Sequence, residues 1–267
     1  MSQELLYEQK GTVVVLTLNR PEKRNALTGD LLGELIQALE NAKEDSATKV
    51  VLLTGNGPTF SAGADFADAM SKDDMKEFPY PLSYHLRYWE KNAHRLARVV
   101  RDFNKPYICA LNGAATGWGM DLASMCDLRI VSDQARAAMT YVNIGLAPGG
   151  GGCFYLPKII GLPRALELIW TGRWINAQEM LSMGYAMRVV PSDRLLEETL
   201  NFAQELASGP SLAQWFSKKL IYSSYELNLD QHLEMTALSK LINWTTEDVK
   251  EGIKAFLQKR KPEFKGK

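Results

Sequence analysis

Cysteine and histidine are scarce: the 267-residue chain holds three of each. Cys109, Cys126 and Cys153 are odd in number, lack metal-ligand spacing and stand in apolar or glycine-rich stretches. A disulfide framework is therefore excluded, and the thiols read as reduced and buried. No histidine or basic residue adjoins any of them to lower a thiol pKa, which argues against a cysteine nucleophile. His85, His94 and His232 lie outside HExxH-like contexts, so no metal site is expected. Net charge is absent too, with 31 acidic and 31 basic side chains. Such a chain has no global field to recruit nucleic acid or an anionic membrane, which points to a small-molecule partner. No apolar run approaches the roughly 20 residues of a membrane span. The acidic start Met1-Ser2-Gln3-Glu4 fits neither a secretory nor an Arg-rich transit peptide, so the expected location is cytoplasmic. Low-complexity tracts and linkers are also missing.

What is present is an alternation of strand and helix patterns in a chain long enough to bury a large core. Residues 11–18 are β-branched and end before Pro21, which reads as a strand. Leu31, Leu32, Leu35, Ile36 and Leu39 follow at helical spacing behind Thr28, a candidate N-cap. Val50 to Thr54 is a second strand, stopped by Gly55-Asn56-Gly57-Pro58. Tyr107 to Leu111, a short helix through Met125, and a strand from Leu128 to Val131 repeat the unit. The alternation suggests an α/β fold of repeated ββα turns around a common core. From Pro210 onward the pattern is helical, with apolar stripes at Trp215, Leu220, Leu233, Leu238, Leu241 and Trp244 that a monomer could not readily cover.

Two glycine-bearing segments carry the chemistry. Phe60-Ser61-Ala62-Gly63-Ala64-Asp65 and Asn112-Gly113-Ala114-Ala115-Thr116-Gly117-Trp118-Gly119-Met120-Asp121 each follow an apolar strand and open towards a helix. Each can aim backbone N–H groups and the positive end of a helix dipole at one point, and two such points form an oxyanion hole. The further glycine run at 148–152 lacks the Lys-Ser/Thr of a P-loop, which leaves a nucleotide-phosphate site unsupported.

These two segments, together with Asn19-Arg20-Pro21-Glu22-Lys23-Arg24-Asn25-Ala26-Leu27 before them, Pro148-Gly149-Gly150-Gly151-Gly152 after them and the ending Ala255 to Phe264, resemble the crotonase (enoyl-CoA hydratase/isomerase) family along the whole chain. The resemblance implies a spiral of ββα units over residues 1–205, carrying the CoA site and oxyanion hole. It also implies a helical oligomerisation region over 206–267, packed into a homotrimer or a hexamer built from two trimers. The implied substrate is an acyl-CoA thioester, with coenzyme A entering as part of the substrate. The hole's donors would be the amides of Ala64 and Trp118. CoA contacts carried over from the family are Lys23, Arg24, Ala26, Leu27, Ala62, Asp65 and Phe66, with Phe256 and Lys259 reaching a neighbouring subunit's CoA. Between the halves of the hole, residues 66–104 read either as an ordinary helix pair or as an aromatic wall of the acyl pocket, with Phe78, Tyr80, Tyr84, Tyr88 and Trp89 as candidates.

Two positions depart from the family pattern. Hydratases of the family use a pair of glutamates; here the first is Asp121 and the second is Tyr141, which is no carboxylate. Asp121 stands in an apolar helix, where an unpaired carboxylate is costly, and is the expected acid/base. Tyr141 could donate a proton or hold a water, but it cannot serve as a base near neutral pH without strong perturbation. Trp118 replaces the family's usual glycine, which leaves its backbone amide available and alters the acyl group that fits. Gly149 stands where dehalogenase-like and some isomerase members often carry an aspartate, so the dehalogenase reading loses its nucleophile. The expected activity is of enoyl-CoA hydratase/isomerase type. The alternatives are an isomerase, decarboxylase or hydrolase variant, and a non-catalytic acyl-CoA binder.

Overall fold

The structure, a computed structural model, describes residues 4–66 and 90–267. The aromatic candidates Phe78, Tyr80, Tyr84, Tyr88 and Trp89 lie outside the described residues. Strands β1 (Leu5–Lys10) and β2 (Val13–Leu18) form an antiparallel hairpin. Expectation placed the start of β2 at Gly11. It begins instead at Val13, because Gly11 takes a left-handed φ of 64° and turns the chain. The chain then runs through α1 (Gly29–Glu44), β3 (Val50–Gly55), β4 (Thr59–Ser61), α2 (Arg95–Arg101), β5 (Tyr107–Leu111), β6 (Ala114–Thr116) and α3 (Trp118–Met125). It continues through β7 (Leu128–Ser132), β8 (Arg136–Ala138), α4 (Gly152–Ile160), α5 (Leu162–Thr171), β9 (Ile175–Asn176), α6 (Ala177–Ser182) and β10 (Arg188–Val190). Four helices close it: α7 (Leu195–Ala207), α8 (Ser211–Ser223), α9 (Leu229–Trp244) and α10 (Glu247–Gln258).

The repetition of ββα units is visible in the sheets. The first strand of each unit enters a six-stranded sheet of order β1-β2-β3-β5-β7-β10, and the second enters a four-stranded sheet of order β4-β6-β8-β9. From β2 to β10 the larger sheet is parallel, so both faces are covered and its strands read as continuous apolar runs. The period of two assigns the faces. Val14, Leu16, Val51, Leu53, Cys109 and Val131 pack with α1 in the main core. Val13, Val15, Val50, Leu52, Ile108 and Ile130 pack on the opposite face with Leu195, Ala203 and Ala207 of α7. The N-cap assigned to Thr28 is present, its hydroxyl accepting from Leu31 N at 3.0 Å.

Two polar centres fix α3, the helix on which Asp121 stands. Arg129 is buried, and its guanidinium donates to the carbonyls of Tyr185 (2.6 Å) and Cys126 (2.6 Å). It thereby satisfies carbonyls at the C-terminal end of α3, each of which would cost about 1–3 kcal/mol if buried without a partner. The carboxylate of Asp127 accepts from Tyr107 N, Lys218 Nζ and Tyr222 OH at 2.8, 2.7 and 2.8 Å. It thus pins α8 of the C-terminal region to the strand β5. Beyond α8, Leu233, Leu238, Leu241, Ile242 and Trp244 of α9 are exposed, while Trp215 and Leu220 are half-buried. Cys109 and Cys126 are buried as expected. Cys153 is exposed, a correction to the buried reading: it stands on the first turn of α4 and faces outward. No helix among the described residues is long and apolar enough to cross a membrane.

Candidate functional site

The first half of the site is built around Asn25, fully buried at a left-handed φ of 52°. Its side-chain amide donates to the carbonyls of Asn56 (2.9 Å) and Thr59 (2.7 Å), and its Oδ1 accepts from Arg20 N. The chain leaving it forms a short parallel bridge between Leu27 and Ala64. Leu27 N donates to Gly63 O at 2.7 Å, and Asp65 N donates to Leu27 O at 3.0 Å. Because successive amides alternate in an extended chain, the N–H of Ala64 points to the opposite side from those two bonds.

The second half meets the first at van der Waals limits. A Cβ on Gly63, whose φ is +88°, would lie 2.7 Å from Thr116 O and 3.3 Å from Trp118 N. One on Gly119 would lie 2.5 Å from Ser61 O. Only glycine permits this approach, and it brings the Ala64 segment against the N-terminus of α3, where Trp118 is the first helical residue. The structure therefore packs the segment Gly63–Ala64 against the first residue of α3, Trp118.

Asp121, one turn into α3, is completely buried. Its Oδ2 accepts from Tyr141 OH at 2.7 Å and from Gly150 N at 2.9 Å, while Oδ1 has no hydrogen-bond partner among the described residues. Burial pushes its pKa up to about 7, a shift that the Tyr141 hydroxyl and the Gly150 and Gly152 amides partly offset. Tyr141 moves in the same direction: burial, then the Asp121 charge and their hydrogen bond, hold the phenol well above its ordinary pKa. It is a fixed donor, and the titrating member of the pair is the carboxylate. Cys153, exposed but partly shielded on the Asp121 side, has its thiol pKa raised by that shielding first and by the Asp121 charge second, which keeps it protonated.

The glycine run at 149–152 owes its composition to this pair. A Cβ on Gly150 would fall 2.2 Å from Trp118 Cδ1 and 2.6 Å from Asp121 Oδ2, and one on Gly152 would fall 2.2 Å from Asp121 Oδ1. Sequence reasoning missed the Gly150 amide, because a backbone donor has no residue-type signature. It also missed Asn25. Its signal was a polar residue fully flanked by the motif's Arg24 and Ala26.

The remaining sequence-derived residues are spread along the same side and beyond. Leu27 is buried, Ala26 and Ala62 are half-buried, and Lys23, Arg24 and Phe66 are exposed. Asp65 is committed to an ion pair with Arg20 at 3.0 Å, and Arg20 also holds Glu4 at 3.0 Å. Phe256 and Lys259, at the end of α10, are exposed. Lys259 takes the left-handed C-cap position, at φ 53°.

The enoyl-CoA hydratase/isomerase family model matches residues 8–267. A probable enoyl-CoA hydratase of Rhizobium meliloti is 38% identical over 266 residues, covering 99% of each chain. The 2,3-dehydroadipyl-CoA hydratase of Escherichia coli is 37% identical, again over 99% of each. Among solved structures, the enoyl-CoA hydratase of Bacillus anthracis superposes with a TM-score of 0.91 at 33% identity, covering 99% of this chain and 100% of that one. With its ββα spiral, its paired glycine segments and these full-length relatives, the chain belongs to the enoyl-CoA hydratase/isomerase family and is an acyl-CoA-processing enzyme of the crotonase fold.

Proposed function

We propose that the protein binds the carbonyl oxygen of an acyl-CoA thioester between the amides of Ala64 and Trp118 and moves one proton at the adjacent acyl carbons with Asp121. As charge develops on that oxygen, the two N–H groups and the N-terminus of α3 stabilise it, a contribution worth about a hundredfold or more in rate per donor. The observation that carries this reading is the asymmetry of Asp121, with Oδ2 anchored by Tyr141 and Gly150 and Oδ1 without a partner among the described residues. Oδ1 is the oxygen that takes and returns the proton. A carboxyl group with a pKa about 7 is suited to both halves of that exchange near neutral pH. Tyr141 is a positioning residue: it fixes Oδ2 and keeps Asp121 from rising further.

The named relatives are hydratases, and kinship supports water addition to the β-carbon of a 2-enoyl-CoA as the overall reaction. A second reading, double-bond isomerisation, is favoured by Tyr141 itself. Without a second carboxylate there, one group must carry the proton both ways. Lys23 and Arg24 are the candidate partners of CoA phosphates, with Ala26, Leu27, Ala62 and Phe66 along the remaining CoA. Phe256 and Lys259 would serve a neighbouring subunit's site. The exposed apolar face of α9 supports assembly into trimers. Light scattering at micromolar concentration should give a mass of three chains or a multiple; a monomer would contradict the assembly.

Asp121→Asn should lower crotonyl-CoA turnover by about a hundredfold or more while leaving acyl-CoA affinity nearly unchanged. Stability has its own sign. A carboxyl whose folded pKa is raised from 3.8 to about 7 binds its proton more tightly in the folded state. Stability is therefore greatest below the unfolded pKa and declines as pH rises towards the folded one. Asp121→Asn should accordingly melt higher than wild type at pH 8 and gain nothing at pH 4; a gain equal at both would contradict the burial argument.

Tyr141→Phe removes the strongest hydrogen bond that lowers the Asp121 pKa. The ascending limb of kcat/KM against pH should move to higher pH, and kcat at neutral pH should fall about tenfold with KM little changed. A proportional loss at every pH would show that the hydroxyl does not tune Asp121.

A further inference from the structure

The indole of Trp118 is the largest fully buried side chain among the described residues. It grows from the residue whose own amide forms half of the hole, so its Cβ lies within two covalent bonds of that donor. Trp118 and Asp121 are three residues apart on α3, which places both side chains on one face. Both also press on the same backbone. The Cβ that Gly150 lacks would meet Trp118 Cδ1 at 2.2 Å, Trp118 Nε1 at 2.4 Å and Asp121 Oδ2 at 2.6 Å. Indole and carboxylate thus both lie against the backbone at Gly150. On the reading proposed above, the first carbons of the acyl group lie between the hole and this carboxylate, beside the indole.

From this juxtaposition we infer that the Trp118 side chain is the specificity-determining residue for the acyl group, walling the site beside Asp121 and restricting it to short or flat acyl chains. The inference rests on the acyl-CoA reading, but it concerns the side chain of Trp118 rather than its amide. A substitution that keeps the backbone keeps the donor and changes only the wall. The indole cannot swing towards Gly150, because that backbone already lies at contact distance and its amide is engaged by Asp121. A longer chain must therefore displace the ring or be excluded. The glycine at 150 and the tryptophan at 118 form a matched pair, each occupying what the other leaves.

The test uses wild type, Trp118→Phe and Trp118→Ala as full-length proteins. Dissociation constants for acetyl-CoA and octanoyl-CoA are measured by calorimetry, and kcat/KM is measured for crotonyl-CoA and 2-octenoyl-CoA. Wild type should favour the short member of each pair. Trp118→Ala should shift the long-to-short ratio upward by about tenfold or more, the size effect expected of apolar pockets, and Trp118→Phe should shift it by less in the same direction. Should Trp118→Ala fail to melt cooperatively, the smaller change to Phe decides. An unchanged ratio in a folded Trp118→Phe protein, with all substrates affected in equal proportion, overturns the inference and leaves the proposed reaction standing. A ratio that shifts in the binding constants while wild type turns over no acyl-CoA upholds the wall and overturns the reaction.

Discussion

One buried carboxylate organises this site. Asp121 has no cation within hydrogen-bond reach among the described residues, and it is held in the core by a phenol and a backbone amide on a single oxygen. Burial favours the neutral acid, while the phenol and the Gly150 and Gly152 amides favour the anion; the balance falls at a pKa about 7. A cation in place of Tyr141 would favour the ionised form, and an apolar residue would raise the pKa further. The phenol lies between these, because its own pKa is driven away from the physiological range and it stays a donor. The departure from a pair of carboxylates is in this sense a change of division of labour: one group titrates and the other sets where it does so.

The scaffold brings this group to the two glycine segments of the proposed oxyanion hole, which lie about fifty residues apart in sequence. Backbone-to-backbone approach is the means. Gly63 against Thr116, Gly119 against Ser61, and Gly150 and Gly152 against Asp121 are all positions where a methyl group would overlap its neighbour. The segments cannot be spread without losing the geometry, so rigidity has to come from below. It comes from the two-faced parallel sheet, from the Asn25 amide that ties the carbonyls of Asn56 and Thr59 on either side of Gly57 and Pro58, and from Arg129 and Asp127 at the far end of α3. Removing an exposed charge from such a framework changes little, whereas removing a buried donor leaves carbonyls that nothing else can satisfy.

Much of this was legible in the sequence. The parallel strands announce themselves as apolar runs because both faces are buried, and Tyr107–Leu111 begins and ends where its pattern does. Thr28 marks the start of α1 through a side-chain acceptor that local order alone specifies. Asp121 was identifiable because a carboxylate in an apolar helix needs a reason. What was not legible is what depends on contacts distant in the chain. The partnership of Asp121 with Gly150 N–H is invisible because every residue but proline has an amide. The engagement of Asp65 by Arg20 places a presumed ligand contact in a structural ion pair. Cys153 read as buried from its glycine-rich surroundings, yet those glycines are there to make room for Asp121, and the residue after them turns outward. Family membership then came from the order and spacing of the segments, which no single segment would have carried.

The most direct test of the account is exchange of the α-hydrogen of butyryl-CoA in D2O, followed by NMR across pH 5 to 9. This substrate cannot be hydrated, so the measurement isolates proton transfer by the carboxylate from any addition of water. The account predicts exchange that rises with pH through an apparent pKa about 7 and then levels, the base form of Asp121 being the active one. Exchange no faster than in buffer alone, with the thioester bound, would contradict it.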